Sequence, residues 1–330
     1  MFTCLIIQPL KNAPGAMPEY SISLGCIDAP WKSEPATLHG PIFSDGRHSL
    51  VITGGIVGTI SISGTENNAT EVEYEVKLAT NDEGLLRTLR PELSSRGETS
   101  TMSINSIGFS PPDTSCRQRY DVTVRIPPTL RHLDITTEAA THVLFDRNAA
   151  MLPTLETLTV DLQSSDHKNM ILSHPNVQAD TLSFTMGGGL ISGNMLLVQN
   201  MTLRQTGYSW MLVDAIASND ADLADIPTVL RTESGVGRSV ITYRHFSGAA
   251  HRQIDSVHKA AGGRLDINYS DADFEGSVGI SARSVRASGA LRGAVVDGAR
   301  VKNKKMWLGR QEGLDQVKVE SPKGYVTLVF

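Results

Sequence analysis

Between residues 133 and 184 the chain returns three times to one short unit: Leu133-Asp134-Ile135, Leu158-Thr159-Val160 and Leu182-Ser183-Phe184. The units start 25 and 24 residues apart, Thr202-Leu203 follows after 21 more, and Leu265-Asp266-Ile267 takes up the theme later. Each unit has apolar groups at every second position, the pattern of a half-buried strand. A strand-sized pair recurring every twenty-odd residues predicts stacked rungs, each burying its inward side chains on the next. The expected fold is therefore all-β, a mainly parallel, β-helix-like solenoid over residues 129–330. Leu133, Ile135, Leu158, Val160, Leu182, Phe184, Leu265 and Ile267 should form its core. Gly187, Gly188, Gly189, Gly193 and Gly207 should supply corners where φ turns positive. A β-sandwich with evenly spaced strands is the alternative.

The same alternation extends outward from this stretch. It occurs in Ile60-Ser61-Ile62, in Val72 to Leu78, in Tyr120 to Ile126 and in the closing Val326-Thr327-Leu328-Val329-Phe330. From Thr154 onward only Pro175, Pro227 and Pro322 interrupt the chain, which leaves long stretches able to pair in sheets. By contrast, Pro9, Pro14, Pro18, Pro30 and Pro35 crowd the first forty residues. Residues 1–40 therefore read as a loosely ordered lead-in and 41–128 as an irregular β region joined to the solenoid. Two insertions should be helical. Residues 82–90 carry Leu85, Leu86 and Leu89 ahead of Pro91, and residues 249–261 run into Gly262-Gly263, as a helix C-terminus would.

The segment from Asp273 through Phe274-Glu275-Gly276-Ser277-Val278-Gly279-Ile280 to Val285 and Gly289 resembles the repeat of adhesin-like β-solenoid proteins of fungi and bacteria. In that family, rungs run aromatic-x-Gly-x-Val-x-Val. The ending Gly324-Tyr325-Val326-Thr327-Leu328 resembles the close of the fungal members, and Gly58-Thr59-Ile60-Ser61-Ile62-Ser63-Gly64 resembles an early copy. Arg283-Ser284 stands where the family pattern has a turn glycine, and the family's N-terminal hydrophobic anchor has no counterpart. The resemblance implies a non-catalytic, cell-surface or extracellular repeat protein, with carbohydrate or other surface components as partners. It carries over no catalytic residues.

Composition narrows the field further. With 40% hydrophobic and 20% charged residues the chain is neither a disordered polymer nor a polytopic membrane protein. Only 5% is aromatic, while Ser and Thr number 58, a balance that suits many short strands better than a helical bundle. A net charge of −5 argues against a protein devoted to nucleic acid. Cys4, Cys26 and Cys116 cannot build a dense disulfide framework, and three leaves at least one unpaired within the chain. No apolar run approaches a membrane span of ~18 residues. Met1 to Leu10 lacks the basic start of a secretory signal, which leaves a cytoplasmic location as the alternative to the surface. The sequons at Asn68, Asn200 and Asn268 become informative only if the chain is secreted.

No catalytic, metal or cofactor motif is complete. Gly207-Tyr208-Ser209-Trp210-Met211 lacks the second glycine of a nucleophile elbow, and the Gly187–Gly193 cluster lacks the Gly-Lys ending of a phosphate loop. His251 and His258 are seven residues apart, about 10 Å on a helix, too far to share an ion with each other. Asp255 between them should make weak surface pairs with both. A β-helical polysaccharide lyase or hydrolase would need carboxylates aligned on an outer face. Asp134, Asp161 and Asp266 are its candidates, though solvated strand positions are commonly Asp in any case.

Charge picks out one segment. Residues 276–310 hold eight basic residues against the single acid Asp297, giving +7, while four aspartates (214, 220, 222 and 225) lie between Arg204 and Arg231 with no Lys or Arg. Arg300, Lys302, Lys304, Lys305, Trp307 and Arg310 are the candidate binding residues, for an anionic glycan or surface. Self-association through the solenoid ends is expected as well. The leading reading is a non-enzymatic, adhesin-like structural or binding protein. The alternatives are the polysaccharide-degrading enzyme and an intracellular interaction scaffold.

Overall fold

A computed structural model describes residues 19–65, 69–106, 118–146, 154–246, 251–289, 301–309 and 312–330. The chain is all-β. Its described strands form one large mixed sheet in which most neighbours run parallel. The helix Glu83–Thr88 and two single 3-10 turns are the described exceptions. That helix meets the expectation for residues 82–90: the Asp82 side chain caps it by accepting from the Gly84 amide at 2.8 Å, and the chain is extended again at Pro91.

The pairing resolves into two long parallel ladders. The first runs through Thr99–Asn105, Arg47–Thr53, His132–Thr137, Leu155–Leu162, Ala179–Met186, Asn200–Gln205, Thr228–Ser234 and Ile254–Ala260. The second runs through Gln118–Ile126, Val57–Gly64, Thr141–Phe145, Met170–Ser173, Gly189–Leu197, Tyr208–Ala217, Val236–Arg244 and Arg264–Asp271. From residue 132 to 271 successive strands alternate between the two. The long strand Asp315–Val329 then adds its first half to the first ladder and its second half to the second. Gly276–Ser288 repeats this outside it, with a register shift at Arg283.

Alternation turns one side chain in two toward a shared core. Rings from the two ladders meet there: Phe145 of the second stacks on Phe184 of the first with centroids 5.8 Å apart. Leu133, Leu158, Leu182 and Met201 share one row, and Ile135, Val160, Phe184 and Leu203 the next. All eight predicted core residues are at most 3% exposed. Leu265 and Ile267, however, belong to the second ladder and do not continue that row. The first ladder continues instead through Leu230 and Thr232, then Ser256 and His258, so polar residues occupy positions that an apolar repeat search passes over.

Two local expectations are corrected. Residues 254–260 are a strand, not a helix; Ile254, Ser256, His258 and Ala260 are all buried, the period of two typical of a strand. The inward polar groups are satisfied, His258 Nδ1 lying 2.9 Å from Thr232 Oγ1 and Nε2 2.9 Å from the Tyr269 hydroxyl, so burial of a helix-prone composition is tolerated. The glycines act in two ways. Gly189 and Gly193 have φ of 115° and 128°, but within a strand rather than at a corner. Gly207 lies at the corner without positive φ; a Cβ there would collide with the Gly187 carbonyl oxygen on the neighbouring turn.

At the other end, the segment before the first strand is fixed by two buried groups. Arg119 Nη1 donates to the carbonyls of Ser21 and Gly25 at 2.8 and 3.0 Å. His142 Nδ1 accepts from the Ser21 amide at 2.8 Å, which directs its Nε2 proton to the Lys168 carbonyl at 2.8 Å. Cys26 in this segment is disulfide-bonded.

Candidate binding surfaces

The described strands of the basic segment, Gly276–Ser288 and Val301–Leu308, lie beyond the C-terminal strand Asp315–Val329. Strand Val301–Leu308 pairs antiparallel with Gly276–Ala282, setting Lys305 opposite Gly279 and Trp307 opposite Ser277. Met306 and Leu308 are buried, so Lys305 and Trp307 share the outward face. Lys305 Nζ sits 4.4 Å from the Trp307 ring centroid, a cation–π contact. Lys318, opposite Gly279 from the other side, is exposed and pairs with Glu320 at 2.6 Å. Lys304 is half-buried; Arg300, Arg310 and the side chain of Lys302 lie outside the described residues. Of the six predicted binding residues, the structure thus brings Lys305 and Trp307 together on one exposed strand.

The outer face of the second ladder carries a second concentration of arginine and aromatic side chains. Trp210, Arg238, Arg264 and Tyr325 occupy one register row on four neighbouring strands. Tyr208 and Val236, also opposite each other, lie exposed at the edge of this row. Asp266 accepts from Arg238 Nη2 at 3.1 Å and from Arg264 Nε at 2.8 Å, holding both guanidiniums in place. The Arg283 guanidinium lies 5.8 Å from the centroid of the Tyr325 ring, itself 54% exposed. Sequence reasoning missed this row, because its members come from positions 210, 238, 264 and 325 and only the register aligns them.

The carboxylates proposed for an enzyme do not align. Asp134 faces Thr159, and Asp161 faces Thr136, two residues further along the first ladder. Asp266 lies on the other ladder. Asp134 pairs with Arg47 at 3.2 Å. Ser209 is buried in the strand Tyr208–Ala217.

The histidine assignments also change. His258 is fully buried between the ladders rather than paired with Asp255, and burial pushes its pKa down to about 3. His251 pairs with buried Asp315 at 3.1 Å, and its ring lies 5.3 Å from that of His245. Burial, and then the charge of His251, lower the pKa of His245. Asp315 is a hub: it accepts from the Ile254 amide at 2.9 Å and the Glu275 amide at 2.8 Å. Beside it opens a cleft of about 600 Å³ lined by His251, Asp273, Glu275, Phe274 and Phe330, among others. Among the described residues no three His, Cys, Asp or Glu side chains converge as metal ligands. No described helix is long and apolar enough to cross a membrane.

The fold and these surfaces define an all-β protein with extended, mostly parallel sheet faces. No family model matches the sequence, and no curated protein is similar to it. Among solved structures, the chain is similar to a "putative adhesin" from Bacteroides fragilis NCTC 9343 at 13% identity, covering 90% of this chain and 97% of that one, with a TM-score of 0.44. A "putative adhesin" from Parabacteroides merdae matches at 10% identity, 91% and 97% coverage and a TM-score of 0.39. A "putative lipid binding protein" from Parabacteroides distasonis matches at 11% identity, 90% and 96% coverage and a TM-score of 0.38.

Proposed function

We propose that the protein is a non-catalytic, adhesin-like binding protein whose two ladders coil as a β-solenoid and present an elongated surface to anionic glycans or other cell-surface components. The observation that carries this reading is the exposed strand Val301–Leu308, where Lys305 and Trp307 stand side by side on the outward face. A cation next to an aromatic face suits an acidic sugar or headgroup, which offers charge and a ring or chain to pack against. The coil itself is supported by the regular alternation of strands between two parallel ladders. The disulfide at Cys26 supports an oxidising, extracytoplasmic setting. Self-association through the solenoid ends belongs to the same reading.

The test is binding to immobilised acidic polysaccharide and to vesicles containing anionic lipid, at low salt and at ~0.15 M, where the Debye length is ~8 Å. Binding should weaken steeply with salt. The variant Lys302→Ser, Lys304→Ser, Lys305→Ser should bind more weakly without a lower melting temperature, since exposed charges contribute little to folding. Unchanged binding by that variant, or a parent indifferent to anionic surfaces at low salt, would overturn the assignment to this strand. Intact mass of native material carrying glycans at Asn200 or Asn268 would establish secretion.

A further inference from the structure

We infer that the outer face of the second ladder is a separate binding site for an extended acidic polysaccharide. It is read by the row Trp210, Arg238, Arg264 and Tyr325 together with Arg283. The inference rests on the reading of the protein as a binder of anionic glycans, but locates a site on a different ladder from the basic strand.

Three observations carry it. The first is composition: tryptophan, tyrosine and arginine, the residues that dominate binding energy at interfaces, share one row on an exposed sheet face. The second is preorganisation. Asp266 engages Arg238 through Nε and Nη2, and Arg264 through Nε. Arg264 therefore keeps its terminal N–H groups for a ligand, with its side chain 57% exposed. A guanidinium held this way loses little entropy when it grips a carboxylate or sulfate, which it can do with two parallel hydrogen bonds. The third is charge. Arg238, Arg264 and Arg283 stand on Val236–Arg244, Arg264–Asp271 and Gly276–Ser288, with Asp266 the one carboxylate in the two outward rows among the described residues. The next row adds Asp214, which is neutralised by Arg244 at 3.3 Å.

The shape selects the class of ligand. Small molecules bind in concave pockets, whereas this is an open sheet face. Neighbouring strands are about 4.8 Å apart, so the row from Trp210 to Tyr325 spans about 14 Å in a line across the strands. A linear polymer with an acidic group on its repeating unit can meet the guanidiniums in turn. Its sugar rings can lie on the Tyr325 and Trp210 faces at either end. A lipid surface would instead call for a broad patch of apolar tips, whereas exposed Tyr208 and Val236 stand only at one edge of this row.

The experiment compares octamers of galacturonate and of heparin, the corresponding monosaccharides, and anionic vesicles, all against the full chain at low salt. Octamer affinity should exceed monosaccharide affinity by at least a hundredfold. Arg238→Gln with Arg264→Gln should lower octamer affinity at least tenfold, and Tyr325→Ser at least threefold, while a control away from both surfaces, Arg87→Gln on the exposed face of the helix Glu83–Thr88, leaves it within twofold. If the double arginine variant melts early through loss of the Asp266 pairs, Tyr325→Ser with Arg283→Gln carries the same test on exposed groups. Octamer binding lost with the triple lysine variant but kept by the arginine and tyrosine variants would overturn this site and leave the basic-strand reading standing. A parent that binds vesicles but no octamer would likewise overturn it. Octamer binding sensitive to the arginine row, with the basic strand indifferent to vesicle and polysaccharide alike, would support this site and overturn the other.

Discussion

His258 of the first ladder places its Nε2 2.9 Å from the hydroxyl of Tyr269 on the second, so a polar contact crosses the core that the two ladders share. Tyr269 in turn stacks between Tyr243 and Phe330, with centroids 5.4 and 5.6 Å apart. Position 258 thus works as core, with its ring neutral and both nitrogens engaged by hydroxyl groups.

Stability should depend on pH through the buried histidines. Burial holds His142 at about 4 and His258 at about 3, against an unfolded value of 6.5. The unfolded chain therefore binds more protons than the native one below about 6.5, and stability falls as the pH drops from there toward about 3. The His142 shift alone is worth on the order of 3 kcal/mol. Urea midpoints should decline steadily over that window; a flat profile would show that neither ring is buried neutral.

Leu182 is 3% exposed and stacked between Leu158 and Met201. Leu182→Ala should cost ~2–5 kcal/mol in denaturant unfolding. A loss below ~0.5 kcal/mol would place the side chain at the surface and break the register.

Gly207→Ala should also destabilise, by about 1–3 kcal/mol, because the added methyl meets the Gly187 carbonyl on the adjacent turn rather than a yielding side chain. Gly97, with nothing within 4 Å of its Cβ position but a φ of 62°, should respond more weakly to the same change. Equal thermal midpoints for Gly207→Ala and the parent would contradict the close approach.

Asp315→Ala leaves the amides of Ile254 and Glu275 without their acceptor, for a loss on the order of 3 kcal/mol. Asp315→Asn retains one carbonyl oxygen and should fall between the two. Hydrogen exchange should accelerate first at residues 254 and 275; unchanged protection there would remove Asp315 from its role as a clamp.

The sequence by itself determined that this is a β protein and which residues are its core between 133 and 184. Strict alternation has one physical meaning, and strongly apolar rows such as Leu158 and Val160 cannot face water. It also marked the helix at 83–88, where a capping Asp and a following Pro act locally. The strand at 254–260 escaped because its inward positions are Ser and His, whose burial depends on Thr232 and Tyr269, partners that lie 11 to 26 residues away. The register belongs to the same category. Which ladder Leu265 joins, and that Trp210, Arg238, Arg264 and Tyr325 fall in one row, are fixed by backbone hydrogen bonds between strands distant in sequence. Only the tertiary structure decides them, since no local pattern records which strand will lie beside which.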